Sequence, residues 1–325
     1  MEAGPIRQDS GPALSGEALL LGGDALPGCI DLDLGPRQPF PGVDLIDVPT
    51  EDRLCRAMSA IGMVADRMRD YVFEFEPGRE LPQRLETAIA RHGGREAVAA
   101  ALTHMMRHRM GALVATVVRN NSDGGYVVHG ADALPQPGRG PALVVTPHVG
   151  PELSVPLHLA VTGAQVAMPT HRYAVPSPYL VLARLPEIIA FPRGAGLRVV
   201  PVPHRLGMVH LSSAVRRGMH LIWQPDTALG GAAQGASVEL DLLGVTRRVS
   251  VFPHLMVTRY RMPVVIAYSR LVDDGSSDGR VEFHYRSVPM PQGTGRGAFF
   301  ARLQDEVTAV LEANTDQWTQ CRRAF

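Results

Sequence analysis

A histidine stands where an apolar run ends and a helix is expected to begin. In Leu143-Val144-Val145-Thr146-Pro147-His148-Val149-Gly150-Pro151-Glu152, the stretch Ala142–Val145 has the length and β-branching of an internal strand, and Gly150-Pro151 has the composition of a helix start with proline in its first turn. His148 is thereby expected at the carboxyl end of a strand, beside a helix N-terminus, the edge at which open α/β sheets bind ligands. An imidazole there can take a proton from an attacking hydroxyl or amine when a carboxylate fixes its tautomer. Two carboxylates are candidates: Glu152, in the expected first helical turn, and Asp226, after the strand-like His220–Gln224. Each also has a structural reading, Glu152 as a partner of the helix dipole and Asp226 as a turn residue following Pro225.

Other spacings carry less chemistry. Gly275-Ser276-Ser277-Asp278-Gly279 is spelled like a hydrolase nucleophile elbow but stands between two strand patterns, where a hairpin turn is expected. Gly293-Thr294-Gly295-Arg296-Gly297 lacks the preceding strand and the sixth-position glycine of a dinucleotide loop, and reads as a linker. His104 and His108 share a helical face without the glutamate of a zinc-protease motif, and Met105, Met106 and Met110 around them read as packing. No metal and no bound cofactor are expected. Cys29, Cys55 and Cys321 are odd in number and far apart, which argues against a disulfide framework and fits a reducing compartment.

The elements that would position these residues alternate. Strands are expected at Tyr126–His129, Ala142–Thr146, Gln165–Met168, Arg198–Val202, His220–Gln224, Val238–Leu242, Pro263–Leu271 and Arg280–Ser287; helices at Pro151–Thr162, Pro178–Leu185, Met208–Arg217, Phe252–Arg261 and Gly297–Gln317. This alternation defines the fold class as α/β, a central mixed, mostly parallel sheet flanked by helices, with a helical region before it. That region comprises a helix from about Glu51 to Tyr71, one from Leu81 to His92 stopped by Gly93-Gly94, and one from Arg95 to Arg119. The last is apolar nearly all round apart from arginines and histidines; it is either a core helix or one lying against lipid. Residues 1–48, broken by Pro36, Pro39 and Pro41, form an extended or partly disordered arm. Residues 49–325 are taken as one domain, helical over about 49–120 and sheet-containing over about 126–325.

Several blocks agree in order and spacing with a known family. They are Thr146, His148 and Gly150; the pair His171-Arg172 and the later Arg184; Gly218 through Asp226; and the closing Glu312, Gln317, Trp318 and Arg323. From about Arg95 to its end the chain resembles the lysophospholipid acyltransferase-like family, in the branch of bacterial lipid A acyltransferases and mycobacterial phosphatidylinositol mannoside acyltransferases. The resemblance implies transfer of an acyl group from an acyl-CoA or phosphopantetheinyl carrier protein, as co-substrate, to a hydroxyl or amine of a small-molecule or lipid acceptor. It implies His148 as base, and Arg172 and Arg184, with His171, as grips on an anionic group of donor or acceptor. Two departures stand out. The family places its carboxylate five positions after the histidine, where this chain has Leu153, and lipid A relatives begin with a membrane-spanning helix that this chain lacks. Two rivals follow: a scaffold turned to hydrolysis or condensation of carrier-bound substrates, or a non-catalytic acyl-binding subunit.

Bulk properties narrow the partners. The 325 residues carry zero formal net charge, so no polyanion such as nucleic acid is indicated. No apolar run approaches the roughly 20 residues that span a bilayer, so a cytoplasmic protein is expected, with peripheral contact at the inner face of the membrane left open. Every cationic side chain other than histidine is arginine, a composition that fits a GC-rich, actinobacterial genome and suits bidentate contacts to carboxylate or phosphate.

Overall fold

Apolar residues fill the central strand runs without alternation, the pattern of strands covered on both faces. In Leu143–Val145 and His220–Trp223 every residue is buried. The computed structural model describes residues 30–32, 71–118, 126–151, 153–171, 196–202, 207–227, 236–272, 280–291 and 293–323. Its strands are β1 (Ile30–Leu32), β2 (Tyr126–His129), β3 (Leu143–Val145), β4 (Gln165–His171), β5 (Gly196–Val202), β6 (His220–Trp223), β7 (Ser237–Leu242), β8 (Val245–Ser250), β9 (Val264–Val272) and β10 (Arg280–Val288). Its helices are α1 (Gln83–Arg91), α2 (Arg95–Val118), α3 (Ser154–Val161), α4 (Gly207–Arg216), α5 (Phe252–Tyr260) and α6 (Arg296–Ala313).

Among the described residues eight strands form one sheet in the order β1-β5-β4-β6-β3-β9-β10-β2, and β7 and β8 form a separate antiparallel ribbon. Within the large sheet only β1 with β5 and β9 with β10 pair antiparallel; all other neighbours are parallel. The expected α/β class, a mixed and mostly parallel sheet with flanking helices, is the observed one. Strand β3 lies between β6 and β9, in the middle of the sheet. Helix α2 packs against α3 and the C-terminal turn, with Val98, Leu102, Met105 and Ala112 buried, so it is a core helix on that face. Among the described residues no helix is long and apolar enough to cross a membrane.

Several boundaries differ from expectation, each for a local reason. The chain does not enter α3 at Pro151. Gly150 has φ 72°, its N–H donates to the Gln317 carbonyl, and Leu153 has φ 73° at the N-cap, so the helix starts only at Ser154. Tertiary contacts claim the Gly150 N–H and, through Ser269 Oγ, the Pro151 carbonyl before a helix can. Helix α6 stops at Ala313 instead of Gln317, because Asn314 Nδ2 and Thr315 Oγ1 donate back to the carbonyls of Val310 and Leu311 and the chain tightens into 3-10 turns, Thr315–Gln317 and Thr319–Arg323. Strand β8 lies outside the strands expected from the sequence. It follows a two-residue turn at Leu243 (φ 59°) and Gly244 (φ 83°), the positive-φ pair of a tight hairpin, spelled here without the usual Asn-Gly. The three-residue β1 pairs with β5 from within the expected arm. The expected helix at 178–185 falls outside the described residues, as does that at 51–71 apart from Tyr71, which is not helical.

Candidate active site

Two adjacent parallel strands bring the site together. β3 and β6 run in register from Leu143 opposite Leu221 to Val145 opposite Trp223, and the alignment continues past the strands as the Thr146 N–H donates to the Trp223 carbonyl. Beyond it the chain makes a three-residue turn centred on His148, closed by the Val149 N–H on the Pro147 carbonyl at 2.7 Å. Asp226 occupies the matching position after β6. Its Oδ1 lies 2.8 Å from His148 Nδ1, and its Oδ2 accepts the His148 backbone N–H at 2.9 Å. A third donor comes from the C-terminal turn: Trp318 Nε1 lies 2.8 Å from Asp226 Oδ2.

The three residues are nearly out of solvent, His148 at 6% exposure, Asp226 at 1% and Trp318 at 0%. Burial alone would raise the Asp226 carboxyl. The charge of His148, and hydrogen bonds from the His148 ring and backbone and from Trp318, outweigh it and hold the carboxyl below its ordinary 3.8. Asp226 is therefore ionised at neutral pH. An ionised carboxylate only accepts, so His148 Nδ1 carries the proton and Nε2 is the basic nitrogen. Thr227 Oγ1 lies 3.4 Å from Nδ1 and 3.5 Å from Nε2. Nearly equal distances put it off the lone-pair axis of either nitrogen, so it does not stand as a nucleophile in line with this base.

The turn carrying His148 is strapped from the other side. The Thr319 N–H and Oγ1 both donate to the His148 carbonyl, and the Val149–Trp318 bridge and the Gly150 bond to Gln317 continue the pairing. Gln317 is itself held by β9, its Nε2 donating to the Leu271 carbonyl and its Oε1 accepting the Leu271 N–H. Gly150 passes so close to β9 that a Cβ there would lie 2.1 Å from the Ser269 carbonyl oxygen.

Of the residues expected at the site, His148 and Asp226 are in direct contact. Thr146 and Gly150 shape the turn through their backbones. Leu153, where the family carries its acid, is buried among apolar residues. Glu152, Arg172 and Arg184 lie outside the described residues. His171 ends β4, whose parallel pairing with β6 puts its backbone on the same sheet edge as Asp226; its side chain is also outside the description. Gln317 and Trp318 belong to the closing block of the resemblance, which gives them no role, and no sequence motif singles out Thr227 or Thr319. Only the adjacency of Thr227 to Asp226 could have signalled the former. Cys321 offers no thiolate nucleophile: burial first, then nearby Glu86, push it up to about 12.

No family model matches the chain, and no curated protein sequence matches it. Among solved structures it is similar to the 1-acyl-sn-glycerophosphate (LPA) acyltransferase PlsC from Thermotoga maritima, at 12% identity and a TM-score of 0.38, over 82% of this chain and 99% of that one.

Proposed function

We propose that this chain is an acyltransferase that moves an acyl group from an acyl-CoA or acyl carrier protein thioester to a hydroxyl or amine. The observation that carries the reading is the buried 2.8 Å contact of His148 Nδ1 with Asp226 Oδ1 at the carboxyl edge of the sheet, in a chain whose sequence blocks resemble an acyltransferase family. The acid that the family keeps on the histidine's own segment is supplied here from the neighbouring strand. His148 Nε2 takes the acceptor proton as the acceptor oxygen or nitrogen bonds to the thioester carbonyl carbon. Asp226 stabilises the imidazolium. Collapse of the tetrahedral adduct breaks the carbon–sulfur bond, and the leaving thiolate recovers the proton from the imidazolium.

In this reading Arg172 and Arg184, with His171, hold an anionic group of the donor or acceptor, and Thr146 and Gly150 keep the His148 turn in shape. Acyl-CoA and acyl carrier protein are cytoplasmic co-substrates, which puts the reaction in the cytoplasm or at the inner face of the membrane, in lipid or natural-product biosynthesis. A second reading, hydrolysis of the same thioester, draws on the same pair, because a general base activates water as it activates an acceptor. Thiol release measured with and without a cell extract as acceptor source, followed by mass spectrometry of the product, separates the two. Acceptor-dependent release with an acylated product supports transfer, and acceptor-independent release of free acid supports hydrolysis.

A further inference from the structure

We propose that His129, Glu282 and His284 form a binding site for a divalent transition-metal ion of the zinc class, at the sheet edge opposite β1 and apart from the His148–Asp226 pair. Sequence reading gave no sign of it, because the residues come from β2 and β10, far apart in the chain. The parallel register sets His129 directly opposite His284, and the pleat puts Glu282 on the same face two residues before it. The imidazoles stack with centroids 4.4 Å apart at 16°, and Tyr268 of β9, opposite His284 in the antiparallel register, stacks on its other side at 4.7 Å and 3°.

Glu282 divides its two oxygens. Oε1 accepts from Arg280 Nη2 at 3.0 Å, which fixes the carboxylate, while Oε2 lies 3.6 Å from His129 Nε2 and 3.7 Å from His284 Nε2. Those separations are too long for hydrogen bonds, and among the described residues His284 Nε2 is buried without a hydrogen-bond partner. Distances of 3.6 and 3.7 Å, with all three ligand atoms within 4.8 Å of one another, put a point equidistant from them at most about 2.4 Å from each, against roughly 2.0–2.2 Å for zinc bonds to imidazole and carboxylate. Because the stacked rings hold their in-plane lone pairs along nearly parallel planes, binding turns the half-exposed His129 ring about its side-chain torsions until both Nε2 atoms face the ion. Two imidazoles and a carboxylate suit zinc or cobalt better than calcium or magnesium, and three protein ligands leave a coordination position for water. The ion would clip the four-residue edge strand β2 to β10.

The test uses the full chain, stripped with chelator and titrated with cobalt(II) and then zinc(II), following the visible absorption of cobalt and its displacement. One equivalent per chain is expected, with the intense bands of a four-coordinate site. His129→Gln, Glu282→Gln and His284→Gln are each expected to weaken binding at least about tenfold, as loss of a ligand should exceed the ten- to hundredfold effect of a supporting residue. His129 is half-exposed, so its variant keeps the fold. His104→Gln, on a helix elsewhere, is expected to bind as the parent does. Absence of saturable uptake by the parent, or undiminished uptake by folded His129→Gln and His284→Gln, overturns the proposal, as does loss confined to His104→Gln.

Discussion

His148 and Asp226 each stand three residues beyond the paired strand ends Val145 and Trp223, so the register that aligns β3 with β6 also aligns the imidazole with its carboxylate. Two loops that differ in composition therefore place their side chains together because the strands beneath them are locked. The C-terminal turn completes the arrangement through Trp318 and Thr319.

Asp226→Asn is expected to fold and to lose turnover. An asparagine can place its carbonyl oxygen where Oδ2 receives the His148 and Trp318 N–H groups, leaving its NH2 to donate to Nδ1. The ring proton then moves to Nε2 and the base is lost. Turnover should fall about 10²–10⁴-fold, with far-ultraviolet circular dichroism unchanged.

Trp318→Phe removes one hydrogen bond to an ionised, buried carboxylate while keeping most of the packing. Denaturant unfolding should show a loss of roughly 1.5–3 kcal/mol, the range for hydrogen bonds to charged groups. Turnover should fall less than in Asp226→Asn, since Nδ1 keeps its acceptor.

Gly150→Ala should be among the most damaging small substitutions. The left-handed backbone alone costs an alanine roughly 1–2 kcal/mol, and the new Cβ would meet the Ser269 carbonyl oxygen at 2.1 Å. Purified protein, if obtained, should melt well below the parent and lose activity with it.

Stability should fall on mild acidification. Burial lowers His158 and His220 from 6.5 to about 4. His158 Nδ1 is paired with the Tyr285 hydroxyl, and His220 Nδ1 accepts the Ala142 N–H. The unfolded chain binds these protons below about pH 6.5 and the folded chain only near pH 4, so each histidine withdraws up to roughly 3 kcal/mol as pH falls across that window. Asp226, held below 3.8, stabilises the fold above that pH and loses its contribution only as pH falls further. Urea midpoints at pH 7, 6 and 5 should decline stepwise, and His158→Gln should decline less.

Much of this arrangement was legible in the sequence, and what was not has a physical cause. The apolar runs that became β3, β6 and β9 carry enough β-branched and apolar residues to be read as buried strands, and His148 at the end of one of them stood out for that reason. Which carboxylate faces it did not, because strand pairing is a long-range fact: Glu152 is near in sequence, yet the Nδ1 partner is Asp226 from the adjacent strand. The helix start at Pro151 failed where Gly150 was needed for passage against Ser269. β8 was hidden because Arg247 and Arg248 stand in it and its turn is Leu243-Gly244. The pairing of His129 with His284 depends on the register of β2 with β10, which no local pattern encodes.

The most direct measurement is thiol release from a panel of acyl-CoAs and acyl carrier proteins, with acceptor extract present, comparing the parent chain with His148→Ala. A base at Nε2, held by Asp226, requires acceptor-dependent release by the parent and a fall of about 10²–10⁴-fold in a variant that remains folded. Release at the parental rate by His148→Ala, or none from any donor by folded parent protein, contradicts the assignment of His148 and Asp226 as the catalytic pair of an acyltransferase.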